Sequence, residues 1–188
     1  MSFAITGYHG TSSDSVANIL LENFRKSEND DEWLGFGVYF FIEGISDPIA
    51  NAIEWARNQA YDKGVYLYDD LSVLESNIVC NRDAVLNVTE TEGLKVFNAL
   101  RETLIQKNRK IFNSHNRNNR HDNKVLWNAI SEYLGLDAII HNLYIKDCYQ
   151  RRKRVDSNVP NTTVICVKAP HLIRLESICE IVKEGVKK

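Results

Sequence analysis

Two short stretches near the beginning of the chain combine residue types suited to holding a flat, hydroxyl-bearing ligand. They are Tyr8-His9-Gly10-Thr11 and, further on, Leu34-Gly35-Phe36-Gly37-Val38-Tyr39-Phe40. An imidazole both donates and accepts hydrogen bonds, so His9 can pair with sugar-like hydroxyls as no purely acidic or basic side chain can. Gly10 lacks a Cβ, which lets the backbone approach a ligand and offer its own N–H and C=O. Tyr39 supplies a face on which a cationic ring can stack, worth ~1–2 kcal/mol when desolvated. Taken singly, a histidine is most often a satisfied core or surface residue, and a run such as Tyr39-Phe40-Phe41 is most often core packing. Their order, with the glycines and an intervening helix, is what makes the pair specific. The sequence has no G-x-G-x-x-G after a strand and no G-x-x-x-x-G-K-[ST], so the usual phosphate-cradling loops are absent.

In this order the two stretches resemble the H-G-[ST] and G-x-G-[IV]-Y-F motifs of the ADP-ribosyltransferase superfamily, in the branch related to poly(ADP-ribose) polymerases and diphtheria toxin. The segment Asn23-Phe24-Arg25-Lys26-Ser27 after the intervening helix is also similar. Beyond the first 41 residues the likeness is confined to the stretch around Thr163 to Val167. The resemblance implies a single α+β domain over residues 1–188, with two small sheets framing a cleft for NAD as co-substrate. It puts His9 on a ribose hydroxyl, Gly10 on the nicotinamide carboxamide with Thr11 beside it, and Tyr39 against the nicotinamide ring. Trp55 would add a second wall and Ser46 a further carboxamide contact, while Arg25 and Ser27 would meet phosphate or adenine ribose. The family often carries a Glu in a third motif, near the start of a later strand. The matching residues here are Asn161-Thr162-Thr163-Val164, with Thr163 the best-aligned position. A hydroxyl can bond a ribose but cannot supply the negative charge that steadies a developing cation. Two readings follow. One is a mono-ADP-ribosyltransferase working with His9, Tyr39 and Thr163; the other is a catalytically silent binder that keeps the NAD or ADP-ribose pocket. Glu43, Glu75 and Asp156, near candidate strand ends, are the acids that would otherwise stand in.

The elements that must position these residues follow from periodicity. Phe3 to His9 reads as a strand stopped by Gly10, and Val16, Ile19, Leu20 and Phe24 give one buried face to the helix after it. Glu28 to Glu32 reads as an acidic loop and Val38 to Phe41 as a strand. Asp47-Pro48 marks a helix start, with Ile49, Ala52, Ile53, Ala56 and Ala60 as its buried stripe to about Tyr61. Short strands are expected over 65–68, 73–79 and 84–88, and a helix on Leu94, Phe97, Leu100 and Leu104. Residues 107–124, Asn-rich with six Lys/Arg against one acid, read as an exposed loop. A helix on Leu126, Ala129, Ile130, Tyr133 and Leu134 closes at Gly135. Strands over 138–141, 162–167 and within 173–182 complete an α+β pattern without regular βαβ alternation.

The chain of 188 residues has a globular composition, 44% hydrophobic and 26% charged, sufficient for its own core. Four scattered cysteines with no ligand-like spacing point to reduced thiols and no metal centre. The first residues lack a signal-peptide pattern and no apolar run approaches the ~18 residues of a membrane span, so a cytoplasmic protein is expected. The net charge of −2 hides a division: residues 1–95 hold 16 acidic and 6 basic residues, residues 96–188 hold 9 and 17. Two halves attracting each other within one fold would account for this. An anionic partner would too, and Arg151-Arg152-Lys153-Arg154, with Tyr144 and Tyr149 nearby, suits nucleic acid, RNA above all. A protein acceptor, or an inhibitor protein docked on the basic face, is the competing use. The resemblance implies in addition a bacterial toxin of the toxin–antitoxin or phage-defence kind, with an antitoxin as partner. A nucleic-acid-binding protein without NAD chemistry is the third class that the charge division allows.

Overall fold

A computed structural model of the chain describes residues 1–29, 32–107 and 119–187. Seven strands form one mixed sheet: β1 (Ser2–Ser12), β2 (Val38–Phe41), β5 (Asp70–Asn81), β6 (Val85–Asn87), β7 (Ala138–Leu143), β8 (Thr162–Val167) and β9 (Cys179–Gly185), in the order β6-β7-β8-β2-β1-β5-β9. A separate two-stranded ribbon joins β3 (Tyr61–Asp62) to β4 (Val65–Tyr66). All neighbours in the large sheet run antiparallel except β6 and β7. The helices are α1 (Ser13–Glu22), α2 (Pro48–Gln59), α3 (Thr91–Lys107), α4 (Asn119–Leu134) and α5 (Cys148–Lys153).

Strand alternation sorts the apolar residues onto two faces. Val38 and Phe40 of β2 join Ile165 and Val167 of β8 in a core covered by α1, with Val16 and Phe24. Phe41 of β2 and Val164 and Cys166 of β8 face the other side, against Ala52 of α2, Leu104 of α3 and Trp127 and Ile130 of α4. Every residue of β8 is buried, as expected of a strand apolar on both faces. The Asp47-Pro48 start also holds: the Asp47 carboxylate accepts from the Ile49 and Ala50 N–H groups at 2.9 and 3.2 Å. Gly135, with φ of +62°, follows α4 as expected.

The α+β reading stands, but the sheets are not two small ones. One sheet is continuous through a narrow seam, because β1 and β2 share a single registered pair, Tyr8 with Phe41. On its other edge β1 pairs with β5 from Ser2 to Ser12, so its last residues follow β5 away from β2. Gly10 therefore does not stop the strand. Residues 119–124, read as loop, belong to α4, where Lys124 is buried with its ammonium 5.8 Å from the centre of the Phe36 ring. The rest of the basic stretch, 108–118, lies outside the described residues. The last strand runs from Cys179, not Ile173, whose buried side chain joins the α1-side core and whose backbone bridges Ile78. Among the described residues no helix is long and apolar enough to cross a membrane.

Candidate functional site

Where β1 leaves β2, the seam opens into a cleft of about 480 Å³. Its walls come from the end of β1, the start of β2, the segment before β2, the α2 side chains Trp55 and Gln59, and Leu143, Ile145 and Arg151. His9 sits at its base. Its Nδ1 lies 2.8 Å from the Tyr39 carbonyl oxygen, which can only accept, so Nδ1 carries the proton and Nε2 of the neutral ring is an acceptor. Phe24 and Phe40 pack edge-on against the imidazole at 5.0 and 5.7 Å between centroids. Burial pushes the His9 pKa below the ordinary histidine value, opposed by the bond to Tyr39. The ring thus stays neutral at pH 7. Burial lowers the His141 pKa as well.

A stability signature follows from these directions. Above about pH 6.5 both rings are neutral folded and unfolded, and the full stability is present. As pH falls below that value the unfolded chain takes up protons first, so stability is lost towards the lower folded pKa values. Thermal melts between pH 7 and 5 should show a falling midpoint, and His9→Gln should make that fall shallower.

Tyr39 stands on β2 as one wall of the cleft. Its hydroxyl accepts from the Leu34 N–H at 2.9 Å and donates to the Gly35 carbonyl at 2.6 Å, and burial drives its pKa far above the usual phenol value. Other groups grip the same turn. Lys168 Nζ donates to the Leu34 and Phe36 carbonyls at 2.7 and 3.2 Å, and Asn128 Oδ1 accepts from the Phe36 N–H at 2.7 Å. Ser27 and Gly37 exchange two backbone bonds of 2.9 and 3.1 Å, and Gly35 supplies the left-handed turn at φ +75°. The turn before β2 is thus tied down on several sides, which fixes the Tyr39 ring and the neighbouring Trp33. Tyr39→Phe removes two of these bonds and keeps the ring. It should cost about 1–3 kcal/mol in a urea melt and spare the stacking surface, whereas Tyr39→Ala should lose both.

The cleft brings together His9, Gly10, Thr11 and Tyr39 of the two motifs with Arg25, Ser27 and Trp55 from outside them. It excludes Ser46 and Thr163. The Thr163 hydroxyl, on a residue 5% exposed, donates to Asn142 Oδ1 at 2.8 Å and accepts from the Ile45 N–H at 3.1 Å. Ser46 Oγ donates to the Asn161 carbonyl at 2.8 Å and accepts from Asn51 Nδ2 at 2.7 Å. Both hydroxyls fasten the segment after β2 to β8. Alternation along β8 turns Val164, not Thr163, into the cleft. Glu43, Glu75 and Asp156 do not line it either. Among the described residues the one carboxylate that does is Glu32, which accepts from the Ser27 hydroxyl and from Asn29 Nδ2.

Sequence reasoning missed Glu32 because it ends an acidic run that looks like a solvated loop. It also missed Trp33, whose ring meets Trp55 edge-to-face at 6.4 Å across the cleft wall; its place just before Leu34-Gly35 was the available signal. Of the basic run, Arg151 enters the cleft, its Nε donating to the Lys146 carbonyl at 3.1 Å. Arg152, Lys153 and Arg154 lie exposed at the C-terminal end of α5, where Arg154 takes a left-handed cap at φ +54°. The arrangement can therefore stack a flat ring, bond hydroxyls through a neutral imidazole, and place one carboxylate beside a wall of aromatic rings.

No family model matches the chain. It is similar to Uncharacterized protein MJ0359 of Methanocaldococcus jannaschii, 24% identical over 97 residues. That match covers 51% of this chain and 42% of the archaeal protein, so the chain spans less than half the length of the relative it matches.

Proposed function

We propose that the protein is an NAD-dependent mono-ADP-ribosyltransferase that modifies a nucleic-acid acceptor, RNA above all, as a toxin or phage-defence effector held in check by an antitoxin. The observation that carries the reading is the meeting of His9 and Tyr39, from two separate motifs, in one cleft with a neutral imidazole and a half-buried aromatic wall. When bound, NAD supplies a glycosidic bond whose electron pair leaves with nicotinamide as the acceptor takes the ribosyl carbon.

The residues divide this work. The Tyr39 ring holds the pyridinium by stacking and cation–π attraction, and the indoles of Trp33 and Trp55 shield it from water. His9 Nε2 accepts from a ribose hydroxyl while its Nδ1 stays committed to the Tyr39 carbonyl, which fixes the ring's orientation. The Gly10 backbone, at the cleft edge, serves the carboxamide. Glu32, rather than a residue of β8, supplies the negative charge for the ribosyl carbon as its bond to nicotinamide weakens. Arg25 and Arg151, at the rim, face the pyrophosphate or the acceptor.

The test is incubation of the protein with a cell lysate and NAD labelled on its adenylate, followed by division of the products between nuclease and protease. Label lost to nuclease and not to protease, and absent with Tyr39→Ala, supports the reading. Label lost only to protease moves the acceptor to protein. NAD-dependent thermal stabilisation without nicotinamide release would make the protein a silent binder.

A further inference from the structure

We infer that the cavity behind Trp33 receives one unpaired base of a single-stranded nucleic acid, and so forms the acceptor subsite of the transferase reading, on which this assignment rests. This second cavity, of about 490 Å³, shares Trp33 and Leu143 with the cleft. A base seated there and a ring stacked on Tyr39 would therefore lie on neighbouring sides of one indole.

Its lining has the two properties that base recognition needs. One is aromatic surface: Phe97 and Trp127 lie 4.5 Å apart between ring centroids, tilted by 35°, and add to the Trp33 indole. Every base has a π-face, so stacking on such rings tolerates any sequence and contributes ~1–3 kcal/mol per base. The other is an edge-reading polar set. Asn123 and Asn158 each offer a donor and an acceptor side by side, the pattern that a base edge presents. His141 lines the same space, and its Nδ1 is buried with no hydrogen-bond partner among the described residues. An apolar occupant would leave that nitrogen unpaired, at a cost; a base edge can satisfy it.

Charge completes the match. Tyr144 precedes α5 and Ser157 and Asn158 follow it, and all three line the cavity, so the exposed Arg152, Lys153 and Arg154 stand between rim residues in the chain. Phosphates flanking a seated base would meet these cations. Among the described residues the one acid on the rim, Asp156, is already engaged by Lys146 at 2.7 Å. A duplex keeps its bases stacked and paired, so only an unpaired strand can fill the cavity.

Fluorescence anisotropy with the full chain decides the matter, using labelled 12-nucleotide single-stranded RNA, the matching duplex and an abasic strand of equal length. The base-bearing single strand should bind about 10-fold or more tightly than either comparator at equal salt. Asn123→Ala with Asn158→Ala, both surface truncations, should shrink that preference without altering the slope of affinity against salt. Arg152→Ala with Lys153→Ala should flatten the slope and keep the preference. Equal affinity for abasic and base-bearing strands, or label confined to protein in the lysate experiment, would overturn the assignment. NAD-dependent thermal stabilisation and nicotinamide release, followed on the same preparations, separate the two failures. Lost base preference with an intact NAD response removes the base pocket alone. Absence of any NAD response with base preference intact removes the transferase reading.

Discussion

Glu32→Gln is expected to slow nicotinamide release by about 100-fold or more, the scale seen when a preorganised charge or donor at a developing charge is removed. The substitution keeps the size of the side chain and an oxygen able to accept from Ser27 and Asn29. The fold and the cleft walls should therefore be unchanged, and the loss should fall on turnover rather than on the NAD concentration needed for half-maximal rate. NAD-dependent thermal stabilisation should persist, since the substitution leaves Tyr39 and His9, the residues proposed to hold NAD, in place. Glu43→Gln and Glu75→Gln serve as controls because neither side chain lines the cleft. Thr163→Val should act differently again, loosening the segment after β2 by removing the bonds to Asn142 and Ile45. Unchanged turnover in Glu32→Gln would show that the cleft works without this carboxylate.

The parts of this site that were legible in the sequence are those written locally. His9 and Tyr39 lie in short motifs on strands, and the Asp47-Pro48 pair carries its own capping chemistry, so pattern alone places them. The strand of Thr162 to Val167 is equally plain from its unbroken apolar and β-branched run. What pattern could not supply is the face a residue takes when both faces are buried. On β8 either set of alternate residues satisfies a core, and only the register with β2, pairing Phe41 with Val164, turns Val164 into the cleft and Thr163 out of it. Lys124 misled for a related reason: it is buried with its ammonium 5.8 Å from the centre of the Phe36 ring, a contact across the fold that composition does not encode. Glu32 and Arg151 meet in one cleft because the β1–β2 pairing is confined to one residue pair. A seam of that kind depends on where strands diverge, which the residues on either strand do not announce.

Gly10 is the residue where a ligand role and a packing role compete, and the geometry separates them. A Cβ built on Gly10 falls 1.9 Å from the Ala52 carbonyl oxygen and 3.1 Å from the Ala56 Cβ. The small, buried Ala52, Ala56 and Ala60 let α2 lie close over β1 and β5, and Gly10 completes that approach. The obstacle is backbone, so no rotamer change removes it and the helix itself must move. Gly10→Ala should therefore cost about 3 kcal/mol or more, at the upper end for an overpacked site, and Gly10→Val more still. Ala56→Gly in the same chain should restore little, because it clears the softer contact and leaves the carbonyl in place. Urea unfolding of the variants measures this directly. A merely ligand-facing glycine predicts the opposite result, a normal unfolding midpoint with NAD-dependent stabilisation lost. The displaced helix also carries Trp55 and Gln59 into the cleft wall, so any folded Gly10→Ala protein should bind NAD more weakly through the helix, and Thr11→Ala, which leaves α2 seated, should not reproduce the loss of stability.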